Sequence, residues 1–186
     1  MENDIEKLKF PIGKYKAILE FNFSRTIHDI KTLESFANNL KDSVKGLDKT
    51  DFKKTYRDGG MNIAQIIHHY CDTHTYAFLR TKHTLLEDNP SVKMYEVSEF
   101  LTTPESNVLD VEDSLKVIEG IHAKWVSLLK TLSENDFNKT YYHSARDKNI
   151  ILHEHVGMYA WHTKHHLVHI GMAKESIKEK GKRSKQ

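Results

Sequence analysis

The sequence predicts an all-α protein, an up-down-up-down four-helix bundle, and three observations carry that prediction. Four long segments repeat apolar residues at helical spacing. No segment shows the sustained alternation of a strand. The 8 glycines and 3 prolines of the 186 residues mostly fall where those helical segments should stop.

The first helix is expected over about residues 25–44, where Ile27, Ile30, Leu33, Phe36, Ala37, Leu40 and Val44 form one stripe and Gly46 suits a C-terminal cap. A second opens after Arg57-Asp58-Gly59-Gly60. Asn62 can cap it, and Gln65 three residues on completes a capping box. Its stripe is Ile63, Ile66, Ile67, Tyr70, Ala77 and Phe78, and Asn89-Pro90 ends it. The third starts near Asp110 and carries Leu115, Ile118, Ile121, His122, Trp125, Leu128, Leu129 and Leu132; the fourth runs from about Ile151 to Lys174. Two stretches 85 residues apart, LDKTDFKKTY (47–56) and LSENDFNKTY (132–141), match at six of ten positions, which suggests two helix-hairpin halves. The connection between halves, residues 87–109, is expected to be an ordered flap because it holds Met94, Tyr95 and Phe100.

Composition excludes several classes. Hydrophobic residues make up 38% and charged residues 29%, with no apolar run of the roughly 20 residues that span a bilayer. The net charge of +2 hides an asymmetry: residues 174–186 hold six basic and two acidic side chains, and the first 173 hold 22 basic and 24 acidic. A single domain over 1–173 with a flexible basic tail over 174–186 is therefore expected, and neither nucleic acid nor membrane as partner. The lone Cys71 excludes an internal disulfide, fits a reducing cytoplasm, and reads as a small core filler.

Histidine is the unusual residue. His162, His165, His166 and His169 fall within eight positions of the fourth helix. At about 100° per residue, His155, His162, His166 and His169 form a stripe beside the core face of Leu152, Val156, Tyr159, Leu167 and Ile170. The i, i+4 pair His162 and His166 projects two rings from one face, the geometry by which a helix offers two nitrogens to one metal. The second helix supplies His68, His69 and His74. His74 sits inside the apolar stripe, whereas His69 borders it, so His69 is the better third ligand. Two competing patterns fail: His153-Glu154-His155 lacks the second histidine of HExxH, and Glu119 with His122 is a single Glu-x-x-His.

The stretches PIGKY (11–15), YRDGG (56–60), QIIHHYCDTH (65–74), FLRTKHTLLEDNPSVKMYE (78–96) and YAWHTKHHLVHI (159–170) together resemble the DinB-like superfamily, in its YfiT-type branch of metal-dependent hydrolases close to the bacillithiol S-transferases. The resemblance covers about residues 10–170. It implies an up-down bundle, a homodimer, and one divalent metal, zinc or nickel, per chain on His69, His162 and His166. The activity implied is hydrolysis, or transfer of a low-molecular-weight thiol to a small-molecule substrate. Met61 stands where the branch has tryptophan and Cys71 where alanine is common, so the substrate does not carry over. Asp72, His165 and His169 are the candidate residues for proton transfer or ligand support. The alternatives are a metal-binding stress-response bundle without turnover, and a plain interaction bundle. With ordinary histidine pKa values near 6.5, metal affinity is expected to fall as pH drops from about 7 toward 5.

Overall fold

The structure, a computed structural model, describes residues 2–92 and 97–183. The predicted helices are all present. A short α1 (Glu2–Lys9) precedes α2 (Phe23–Val44). The one-turn α3 (Lys49–Phe52) leads to α4 (Ile63–Leu86), and α5 (Val97–Phe100) to α6 (Glu112–Leu129). The one-turn α7 (Glu134–Phe137) then leads to α8 (Leu152–Arg183). The caps are those the sequence offers. Gly46 takes φ +79° just past α2, where a left-handed residue closes the helix. Asn62 and Gln65 exchange side-chain and backbone hydrogen bonds at the start of α4. Helix α8 runs on past Lys174 to Arg183, through a lysine- and glutamate-rich stretch of good helix formers.

The internal echo is a real structural repeat. Asp48 with Asp51 and Ser133 with Asp136 each close a capping box on a one-turn helix. Each turn is followed by a lysine whose carbonyl accepts from the first residue of the next long helix: Ile63 to Lys54 at 3.1 Å, Leu152 to Lys139 at 2.9 Å.

The bundle is confirmed, but its run directions differ from strict alternation. Helices α2 and α4 each pack against α6 and α8, so α2 lies diagonally across from α4 and α6 from α8, while α4 and α6 are neighbours. Side-chain pairs give the directions. Lys41 meets Glu119 and Glu34 meets Lys130, so α2 and α6 are antiparallel. His68 meets Ser114 and Thr81 meets Trp125, so α4 and α6 run parallel. His69 meets His162 and Ala77 meets His155, so α4 and α8 are antiparallel. The order is up-down-down-up. The cause is the long connection, which climbs back along α4: Phe100 packs on Tyr76, Asn107 accepts from Gln65, and Val108 faces His68. Phe100 thus behaves as the expected flap; Met94 and Tyr95 lie outside the described residues.

A three-stranded sheet was not foreseen. Strand β1 (Ser91–Val92) pairs in parallel with β2 (Thr140–His143), which pairs antiparallel with β3 (Lys148–Ile151). Strands of two to four residues are too short for alternation to register. In β2, Tyr141 and His143 are buried while Tyr142 points outward. The sheet packs against both helices, β2 on α4 and β3 on α8.

The core fills in two parts. Phe36, Leu40, Ile63, Ile67 and Tyr70 lie toward one end, and Leu33, Trp125, Leu129, Leu152 and Val156 toward the other. Histidines occupy the level between them.

Candidate metal centre

One nitrogen from each of His69, His162 and His166 lies within 4.8 Å of the other two. Helix α4 contributes the first from its second turn, and α8 contributes the others one turn apart. His69 Nε2 and His162 Nε2 are 3.0 Å apart. Two nitrogens held about 2.0–2.1 Å from a tetrahedral metal lie about 3.3 Å apart, so the pair needs to open by only a few tenths of an ångström.

What fixes these rings is a pair of hydrogen-bond chains, each ending on a backbone carbonyl. Leu33 O, a carbonyl that can only accept, lies 2.8 Å from His122 Nδ1, so His122 carries its proton there. Its Nε2 then accepts from His74 Nδ1 at 2.8 Å. His74 Nε2 in turn accepts from His162 Nδ1 at 3.0 Å. His162 is left with no proton on Nε2, which accepts from His69 Nε2 at 3.0 Å, so His69 carries its proton there and would have to shift it to Nδ1 to bind a metal. The second chain starts at Leu8 O, which accepts from His169 Nε2 at 3.0 Å. His169 Nδ1 accepts from His166 Nδ1 at 3.1 Å, leaving His166 Nε2 bare. Each step requires a neutral ring, and burial supplies that: desolvation drives His74, His162 and His166 well below 6.5 and lowers His122 and His169 to about 4. Outer hydrogen bonds of this kind select the tautomer of a metal-binding histidine.

The motifs that flank the bundle serve the second chain. The turn through Phe10 and Gly13 brings the Leu8 carbonyl over α8, with Phe10 against His165 and the Tyr15 hydroxyl donating to Glu154 O. Tyr56 stacks on His169, ring centroids 3.8 Å apart and planes 11° from parallel. A Cβ on Gly60 would come within 3.0 Å of that tyrosine ring, which explains a glycine there.

The other predicted residues sort as follows. His68 faces Ser114 and the Val108 carbonyl, away from the site. His155 donates to Ala77 O and accepts from the Tyr141 hydroxyl. His165 stacks on Trp161 and has a buried Nδ1 with no partner. His165, His166 and His169 form a second possible ligand group. Both nitrogens of His169 are already hydrogen-bonded, however, so the group containing His69 is the better donor set. His69 Nδ1 is itself buried without a partner, so His69 lacks the outer support of the other two. Cys71 is half-buried against the core, and burial raises its thiol pKa, as expected of a filler. His74 and His122, read from the sequence as core residues, are links of the first chain; a buried imidazole must find partners, and that was the available signal.

A cavity of about 200 Å³ opens on His69 and His162. Tyr76, Phe100, Leu101, Met158 and Trp161 wall it, and Asp72, Arg80 and Arg146 also line it. Desolvation, then the nearby Glu105, raises the pKa of Asp72. The arrangement is a three-nitrogen donor set with an apolar pocket beside it and one carboxylate of raised basicity.

A family model described as the DinB superfamily matches residues 32–170. The chain belongs to the DinB superfamily. Among its relatives is a Geobacillus thermodenitrificans protein named "Putative metal-dependent hydrolase", 34% identical over 89% of this chain and 93% of its own length. Another is the Bacillus subtilis "Putative metal-dependent hydrolase YfiT", 31% identical over 88% of this chain and 92% of that one. A solved structure of YfiT from Bacillus subtilis superposes with a TM-score of 0.89 at 30% identity, covering 92% of this chain and 98% of that one. It is described as a probable metal-dependent hydrolase with an unusual four-helix bundle topology. This chain is likewise a four-helix bundle and a metal-dependent enzyme of the DinB superfamily.

Two outcomes follow from the site. In metal-free protein, long-range nitrogen–proton NMR should show His122, His74, His162 and His166 protonated on Nδ1 and His169 on Nε2. A proton on His162 Nε2 would break the first chain.

The second concerns pH. His155, His122 and His69 are enclosed, and desolvation lowers them to about 3, 4 and 4, against about 6.5 in an unfolded chain. Below pH 6.5 the unfolded chain binds more protons, so their contribution is full above about pH 6.5 and is lost as pH falls toward 4. Each should cost about 1.4 kcal/mol per pH unit within that window. Thermal unfolding in chelator at pH 7 and pH 5 should show a clear drop; equal midpoints would mean the rings are not buried neutral. Burial also moves the proton–metal competition below the pH 7 to 5 window set by ordinary histidines, so metal should still be held at pH 5.

Proposed function

We propose that this protein is a single-metal enzyme that activates water or a low-molecular-weight thiol against a small substrate, as a hydrolase or a thiol S-transferase. The observation that carries the reading is a three-imidazole donor set, two of whose rings, His69 and His162, line a cavity of about 200 Å³. A metal store without turnover has no need of the cavity, and this favours catalysis over the non-catalytic alternative. Neutral imidazole nitrogens suit zinc or nickel, one ion per chain. When bound, such an ion supplies Lewis acidity that makes an oxygen or sulfur nucleophile available near neutral pH.

The chain's own residues do the rest. His69, His162 and His166 hold the ion, and His74, His122 and His169 keep the α8 ligands in the tautomer that can bind it. The aromatic walls thin out water around the reacting group, which strengthens every charge interaction there. Asp72, lining the cavity with a raised pKa, is placed to take up the proton of the incoming nucleophile. A metal-held thiolate needs less help from a base than water does, so replacing Asp72 discriminates the two chemistries. The same reading includes a homodimer in the cytoplasm, on the family resemblance and the single cysteine; among the described residues no helix is long and apolar enough to cross a membrane.

Elemental analysis and zinc titration test the site. About one ion per chain is expected. His69→Ala should lose it, His68→Ala should keep it, and His169→Phe should weaken it by about 10–100-fold, the usual cost of removing an outer hydrogen-bond partner. Two tightly held ions per chain, or full retention by His69→Ala, would remove the three-histidine assignment. A panel of ester, amide and thiol-acceptor substrates then distinguishes the reactions: Asp72→Asn should abolish hydrolysis, while thiol transfer should survive it.

A further inference from the structure

The cavity holds a positive charge that the metal reading does not use. Arg80, on α4, is only 8% exposed. Its Nη1 donates to the Tyr159 hydroxyl at 3.3 Å, and its Nε is buried without a partner. Among the described residues no carboxylate lies within ion-pair distance of Arg80 or of Arg146, which reaches the same cavity from the turn after β2. Asp72 lines the cavity too, yet pairs with neither. A guanidinium does not shed its proton at any relevant pH. A buried cation without a counter-charge is costly, the Tyr76 ring 5.9 Å from the guanidinium carbon offsets only part of that cost, and an incoming anion would supply the missing charge.

Position gives the scale. Tyr159, which holds the Arg80 head group, precedes His162 by three residues, a rise of about 4.5 Å along α8. The two rings are 5.9 Å apart. Both arginines also act electrostatically on Tyr141 and Tyr159, so their charges converge at this end of the pocket. Arg146 is exposed and stands where a ligand would enter.

We propose that the cavity recognises a small organic anion. Its carboxylate or phosphate group docks on Arg80 and Arg146, and its reacting end faces His69 and His162 about one helical turn away. A planar guanidinium suits either group, because its fork of N–H donors matches two acceptor oxygens at once. The proposal rests on the metal-dependent reading for the reacting end, but not for the anion site itself.

The test uses metal-free protein at constant ionic strength, titrated with inorganic phosphate and separately with acetate. Binding of either should raise the thermal midpoint and shift the Arg80 Nε–H resonance with the same saturation. Arg80→Gln should weaken that binding at least tenfold, Arg80→Lys less, and Arg146→Gln measurably. If Arg80→Gln fails to fold, Arg146→Gln on its exposed turn carries the comparison. Neither anion binding to the wild type, or binding unchanged in the glutamine variants, would overturn the proposal. Zinc affinity measured on the same samples keeps the two ideas apart. Normal zinc binding without anion binding removes only the anion site; anion binding without zinc removes only the metal reading.

Discussion

A backbone carbonyl can accept a hydrogen bond and cannot donate one, and the whole site depends on that asymmetry at Leu33 and Leu8. Each carbonyl sets the proton of one imidazole, which sets the next, until the last ring of each chain presents an Nε2 that carries no proton. Five rings are oriented by two oxygens that belong to helices outside the α4–α8 pair. The constraint works only where the rings stay neutral, and burial at the level between the two core clusters keeps them so. Stability and function therefore share a cause: the environment that makes these histidines expensive to protonate also makes them ready to bind a cation.

That dependence explains features that otherwise look peripheral. The strap containing Pro11 and Tyr15 places the Leu8 carbonyl over α8. The turn containing Gly59 and Gly60 lets Tyr56 lie flat on His169. Diagonal helix order matters as well, because it sets α6 beside both α2 and α4, and His122 can then bridge from Leu33 to His74. In a bundle of strictly alternating neighbours those three residues would not line up. The long return along α4 that produces this order also carries Phe100 and Leu101 onto the cavity.

Much of this was legible in the residues. Four apolar stripes, the Asn62–Gln65 box and Gly46 located the helices, since each depends on local chemistry that spacing reports. The i, i+4 pair and the bordering position of His69 picked out the three rings that the structure gathers. What was not legible depended on contacts between distant segments. Direction of α6 is decided by where the connection goes, and nothing local to Glu112–Leu129 encodes it. The sheet is built from strands of two to four residues, below the length at which alternation shows. His74 and His122 sat in apolar stripes and read as core; only their partners reveal that they link Leu33 to a ligand. Burial, invisible along the sequence, also displaced the expected pH window.

The central claim is that the three ligand rings stand neutral before any metal arrives. The number of protons released on zinc binding at pH 6 measures this directly, by calorimetry in buffers of different ionisation enthalpy. Three ordinary histidines with pKa near 6.5 would be about three-quarters protonated at that pH and would release about two protons per zinc. The account predicts a release near zero. Two or more protons per zinc would contradict it.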